Sequence, residues 1–350
     1  MTRPIAAAGL FLLAAAASSA ADPCELGVQA LEGRDLDSAR IHLQKCLDAR
    51  PATVEPYLWL CALHQARQDS TALYQTARLG LEKFPQERRF YLTVGTHDAR
   101  EKRYQAAIDA FEEGLRRWPE DAQIRSLLAS SHFARGTELL DASDSEAAAK
   151  HLRRATEMAP ADVEAHLNLG RAFHNLLRNT EALAAFDRVI ELQPATPLAF
   201  FHRGMTYHSL GEFERAIEDL DQAIAAAPDY PPAYLVRGLA QLAVARWEPA
   251  LGDLETATAR MPRNAQAWHG RARALVQLER LPEAEKSLRT AMELDPTEPA
   301  PLNALVAVLM RLGRAEEARP LAVKAAALAR ERRSADPGEI RFEGSTQAKP

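Results

Sequence analysis

PLAFFHRGMTYHSLGEFERAIEDLDQAIAAAPDY, residues Pro197–Tyr230, holds two apolar periodicities separated by a short break. In the first, Phe200, Gly204 and Tyr207 fall at i, i+4 and i+7, one face of a helix. Gly211 and Glu212 interrupt the pattern. In the second, Ala216, Leu220 and Ala223 again share a face, and Pro228 ends it because proline cannot continue a helix. Small residues at Gly204 and Ala216 let two such helices approach closely. A single hairpin cannot bury its apolar face, so it needs neighbours.

The rest of the chain supplies them in strict register. The small slot of Gly204 recurs at Gly27, Cys61, Gly95, Ala129, Gly170, Gly238, Ala272 and Val306. The slot of Ala216 recurs at Ala39, Leu73, Ala107, Ala148, Ala182, Ala250, Ala284 and Ala318. The closing proline recurs at Pro51, Pro85, Pro119, Pro160, Pro194, Pro262 and Pro296, in steps of 34 with one step of 41 between Pro119 and Pro160. A 34-residue helix–turn–helix period resembles the tetratricopeptide repeat family. The resemblance rests on Phe200, Gly204 and Tyr207 in the first helix and on the Ala…Leu/Phe…Ala…Pro run of the second, where Phe111 and Phe186 stand in the place of Leu220. It implies an all-α, right-handed superhelical solenoid of about nine hairpins whose first helices line a concave surface that binds protein or peptide.

The units are read at about 22–53, 54–87, 88–121, 122–162, 163–196, 197–230, 231–264, 265–298 and 299–332. Unit four carries seven extra residues, close to two helical turns. Its first helix is expected from Ala122 to about Asp141, with the extra length as a longer hairpin at one edge. Ser143 and Glu146 form a capping box for its second helix. The acidic DASDSE there could be imagined as a cation loop, but it lacks the alternating oxygen ligands and glycine of a calcium loop. In unit nine, Pro320 is expected to weaken or kink the second helix. The tail, 333–350, is polar and expected to be disordered.

Residues 1–21 differ from the rest. Arg3 precedes the apolar run Ile5–Ala17, too short to span a bilayer, and Ser18-Ser19-Ala20-Ala21 supplies small residues for cleavage. This reads as a secretory signal peptide, so the mature chain is expected in the periplasm or outside the cell. Export permits cysteine oxidation. Packing of the first hairpin favours Cys24–Cys46, worth about 3 kcal/mol in the chain-entropy model. Cys46–Cys61 is the rival pairing, and Cys61 otherwise serves as a small buried hydrophobe.

With a formal charge of −5 the chain has no net pull toward nucleic acid. No nucleotide-binding glycine loop, HExxH, GxSxG or CxxC pattern occurs, so no catalytic residues, cofactor, metal or small-molecule substrate is expected, and stable membrane insertion is not expected either. Arg203, Arg237 and Arg271 precede small slots and recur with Asp219 and Asp253, which reads as a ladder of Arg–Asp pairs; a grip on an acidic ligand is the alternative. His174, His208 and nearby His202 could make a weak metal or pH-sensitive site, or simply face a groove.

The expected groove runs along the first helices of units five to eight. Leu198, Phe201, Met205 and His208 form a second stripe in unit six, with Leu235, Leu239 and Leu242 in unit seven. Leu167, Arg171 and His174 flank one side; His269, Arg273 and Asn303 flank the other. An apolar trough with polar rims suits a peptide or amphipathic helix. Some family members clamp a C-terminal carboxylate; Arg171, Arg273 and Asn303 are too far apart in sequence for that role to carry over. The sequence therefore reads as a non-catalytic exported scaffold, with an assembly factor or chaperone for an envelope enzyme or secretion complex as the alternative, and an enzyme with an unrecognised site behind both.

Overall fold

The structure, a computed structural model, describes residues 21–335. Within them the chain forms eighteen α-helices and no strand. It divides into two compact units, Met1–Arg135 and Gly136–Pro350. The first holds α1 (Pro23–Glu32), α2 (Leu36–Ala49), α3 (Glu55–Ala66), α4 (Ser70–Lys83), α5 (Arg88–Arg100) and α6 (Tyr104–Arg117). It also holds most of α7 (Ala122–Asp141), which ends in the second unit. There follow α8 (Ser145–Met158), α9 (Val163–Asn175), α10 (Asn179–Leu192), α11 (Pro197–Ser209) and α12 (Phe213–Ala226). Last come α13 (Pro231–Ala243), α14 (Trp247–Arg260), α15 (Ala265–Gln277), α16 (Leu281–Leu294), α17 (Pro299–Arg311) and α18 (Ala315–Ala335). Helices pack on their neighbours in sequence, the pattern of a one-dimensional repeat array.

The small slots work as the sequence suggests. A β-carbon on Gly95 would come within 2.5 Å of Phe111, and one on Gly170 would overlap Phe186. Both phenylalanines are fully buried, so the glycine is what gives each ring its place. Losing such a ring costs about 3–5 kcal/mol. The closing prolines do a second job. The carbonyl of Pro51 accepts from Tyr57 Oη at 3.2 Å, Pro85 from Tyr91 at 3.1 Å, Pro228 from Tyr234 at 3.1 Å and Pro262 from Trp268 Nε1 at 2.9 Å. One residue six positions on, in the next first helix, thus satisfies a carbonyl left open by the helix end.

The turn inside each hairpin also repeats. Arg34, Gln68, Lys102, Ser143, Leu177, Gly211, Ala245, Glu279 and Gly313 all have φ between 57° and 77°, the left-handed region. The next residue opens the second helix. Asp35, Asp69 and Asp144 accept a helix N–H with their side chains. Arg178, Arg280 and Arg314 instead pair with a glutamate three residues on.

Three local expectations need correction and one holds. The slot facing Leu152 is filled by Gly136 and not by Ala129, although Ala129 is buried too. The expectation that holds is the long first helix of unit four: α7 runs Ala122–Asp141 and takes up the seven extra residues in its 20, while α8 has 14. The cap of α8 is Asp144, since Ser143 is spent on the left-handed turn. Finally, α18 runs through Pro320 and continues to Ala335, into the stretch from 333 on expected to be disordered.

Cys24 and Cys46 are joined by a disulfide that ties α1 to α2, and Cys61 is a buried free thiol. Residues 1–20 of the leader and 336–350 of the tail lie outside the described residues. No described helix is long and apolar enough to cross a membrane.

Candidate interaction face of the first helices

In the second unit the first helices of successive hairpins touch one another: α9 with α11, α11 with α13, and α13 with α15. Along them, at intervals of 34, stand Arg171, Met205, Leu239 and Arg273. Two apolar side chains thus lie between two arginines in one register. Met205 and Leu239 are half-buried, and Arg273 is exposed.

The arginines on these helices fall into two populations. Arg203 donates from Nε and Nη2 to Asp219 at 2.8 and 2.7 Å, and from Nη1 to Asp187 at 2.6 Å. Arg237 repeats this with Asp253 at 2.7 and 2.6 Å and Asp221 at 2.6 Å. Arg271 binds Ser287 Oγ at 2.7 Å and Glu255 at 3.2 Å. Each is therefore saturated by partners sixteen residues before and after it, and the ladder is structural. Arg171 and Arg273 behave differently. Arg171 donates to Asn168 Oδ1 at 2.8 Å and meets no carboxylate, and Arg273 has no ion-pair or hydrogen-bond partner among the described residues.

Around Arg273 lies a pocket of about 290 Å³, bordered by His208, Phe213, Leu239 and His269. A second hollow of about 250 Å³, lined by Leu242, Trp247, Val276 and Val308, shares Arg273 as a wall. No carboxylate lines either. The histidines here are held neutral. Burial lowers the pKa of His208 and of His269, and the Arg273 charge lowers both further. His202 is driven to about 4 by desolvation, with Arg171 and His174 adding to the effect. It lies between Phe186, stacked at 5.8 Å, and Phe201, edge-on at 5.1 Å. The Thr206 hydroxyl bonds the His202 carbonyl, and His174 Nδ1 lies 3.0 Å from the same hydroxyl. Among the described residues no group of three or more His, Cys, Asp or Glu is placed to hold a metal ion.

Family models described as tetratricopeptide repeat match residues 95–137, 133–197 and 235–299, and a second such model matches 169–241. Together they run unbroken from 95 to 299. The chain belongs to the tetratricopeptide repeat family.

Similar solved structures include "MamA 41-end from Desulfovibrio magneticus RS-1", at 22% identity and a TM-score of 0.46, covering 48% of this tetratricopeptide repeat protein and 96% of that chain. "MamA MSR-1 C2" matches at 27% identity and TM-score 0.43, over 48% and 96% of the two chains. A likeness of that grade speaks for nothing about the chain as a whole. No curated protein matches this one by sequence. Repeats of this family are generally non-catalytic and bind protein partners, and a protein-interaction scaffold is the class of function they give this chain.

The structure distributes the expected groove residues of this tetratricopeptide repeat protein unevenly. Leu167, Phe201, Leu235 and Leu242 are buried and belong to the core beneath the face. Met205, Leu239, Arg171, His174, His208 and His269 are half-buried, and Leu198, Arg273 and Asn303 are exposed. His208, Leu239, His269 and Arg273 meet at one pocket. Trp247, Val276 and Val308 were not read from the sequence as site residues. Val276 follows Leu242 by 34, so the period itself could have found it. Trp247 likewise follows Phe213, which borders the first pocket, by 34, whereas Val308 carries no such signal.

Proposed function

We propose that this protein is an exported scaffold that holds a protein or peptide segment against the first-helix face of α9, α11, α13 and α15. Arg273 is the observation that carries the reading. An exposed guanidinium without a partner, walling two apolar hollows, offers a fixed charge beside apolar surface. That combination selects a ligand by both shape and charge. Export rests on the leader at residues 1–21, and a periplasmic or secreted location follows from it.

The test is capture of a partner from cell-envelope extract by the full chain beside Arg273→Glu and Leu239→Glu. Loss of the same partner from both variants, with helicity retained, supports the reading. Arg273→Glu is the cleaner probe, because Leu239 also packs against Gly270 and against a buried core cluster. Equal capture by all three proteins overturns the proposal.

A further inference from the structure

A further hollow belongs to the first unit and is built from other helices. It has a volume of about 650 Å³ and opens between α2 and α4. Tyr57 and Leu60 of α3 form its buried floor, and Ile41 and Leu79 form its two lips. Ile41 is 51% exposed and Leu79 is 44% exposed. Among the described residues only eight large apolar side chains are exposed, and two of them border this one groove.

The repeat provides its own control. Ile41 stands where the other second helices carry Gln75, Asp109, Lys150, Ala184, Glu218, Gly252, Lys286 and Pro320. Leu79 stands where they carry Lys45, Glu113, Arg154, Arg188, Gln222, Thr256, Thr290 and Lys324. The hairpin therefore does not need a large apolar residue at either position, and elsewhere the chain puts polar or small side chains there, or the proline of α18. Both departures face the same groove. Apolar surface left exposed at a spot where the fold does not require it marks a contact.

Charge defines what makes that contact. Arg40 and Lys45 edge the groove, both exposed and both without an ion-pair partner among the described residues. No Asp or Glu lines it, although the chain as a whole carries a net charge of −5. The walls are helices whose backbone groups are already bonded, so a partner gains nothing by adding a strand. It must engage through side chains, which a helix presents as an apolar row at i, i+3, i+4 and i+7.

We propose that the groove between α2 and α4 is a second docking surface, which receives one acidic amphipathic helix of a partner protein. Its apolar row seats between Ile41 and Leu79 over Tyr57 and Leu60. Its flanking carboxylates meet Arg40 and Lys45. The surface is independent of the first-helix face, and one scaffold can thereby join two partners.

The experiment is fluorescence anisotropy of the full chain with a labelled peptide of about sixteen residues, long enough to hold a helix. The peptide carries leucine at i, i+3, i+4 and i+7 and glutamate elsewhere; a control carries lysine in place of glutamate. The variant Ile41→Glu/Leu79→Glu copies residues the array already uses at Glu218 and Glu113, so its helicity should hold. Expected is binding of the acidic peptide to the native chain, at least about tenfold weaker on the double variant by loss of two apolar seats, and unchanged on Arg273→Glu. If the double variant loses helicity, Arg40→Glu/Lys45→Glu gives the same readout. The proposal is overturned by no binding, by equal binding of the lysine peptide, or by a loss that follows Arg273→Glu instead. Self-association of the native chain that disappears in the double variant also overturns it, since a second copy would then be the occupant.

Discussion

A β-carbon built on Gly136 would lie 2.6 Å from Cγ of Leu152, the contact that in the other hairpins joins a small residue to a large one sixteen positions later. Ala129 lies seven residues earlier, on almost the same side of α7, because seven residues is close to two turns. The long helix thus offers two small residues on one face, and the second hairpin half uses the later one. Gly136→Ala is expected to lower stability by about 1–2 kcal/mol through overpacking, against the usual gain for Gly→Ala in a helix. Denaturant unfolding checks this.

Asp219 is buried and holds two nitrogens of Arg203. Asp219→Ala leaves that guanidinium with Asp187 alone and should cost about 2 kcal/mol. Adding Arg203→Leu should recover much of the loss, since Leu169 and Ala185 already form that pair one repeat earlier and are buried. A double-mutant cycle in urea gives both numbers.

His202 makes stability depend on pH. Its folded pKa of about 4 lies below the unfolded value of about 6.5. Between these values the unfolded chain binds the proton and the folded chain does not. Stability is therefore full above the unfolded pKa and falls as pH drops toward the folded one. The expected loss from His202 is about 2 kcal/mol, after allowing for its partial exposure. His202→Phe should flatten the unfolding profile between pH 6.5 and 4 by that share, and an unchanged slope would refute the assignment.

Cys61 is the chain's one unpaired cysteine, and burial pushes its thiol up to about 12. It holds almost no thiolate at neutral pH and should not react. A thiol reagent should find no reactive group in the native protein and one after unfolding. Reduction of Cys24–Cys46 should cost about 3 kcal/mol, and hydrogen exchange should quicken in α1 and α2 rather than throughout.

Leu177 holds φ 57° in an exposed turn where two other hairpins use glycine. Leu177→Gly should be neutral or stabilise by up to about 1 kcal/mol, as relief of backbone strain outweighs the added freedom of the unfolded chain. Gly211→Ala, at φ 77° with open space around it, should cost about 1 kcal/mol. Thermal melts of both variants decide it.

The sequence by itself determined the architecture. A glycine at 95, 170, 204 or 238, a large residue sixteen positions on and a proline every 34 residues admit one local solution, because each is a short-range steric demand repeated in register. It also determined that Arg203 and Arg237 would need carboxylates, since a desolvated guanidinium cannot stand alone. Three things were settled only by the tertiary structure. Which of Ala129 and Gly136 meets Leu152 depends on how far the extra turns slide α7 past α8, and a seven-residue shift leaves the face unchanged in sequence terms. Which apolar residues of the first helices stay open depends on neighbouring hairpins: Phe201 and Leu235 are covered, while Met205 and Leu239 are only half so. And the isolation of Arg273 follows from what does not reach it, a property of distances between helices that no spacing along the chain records.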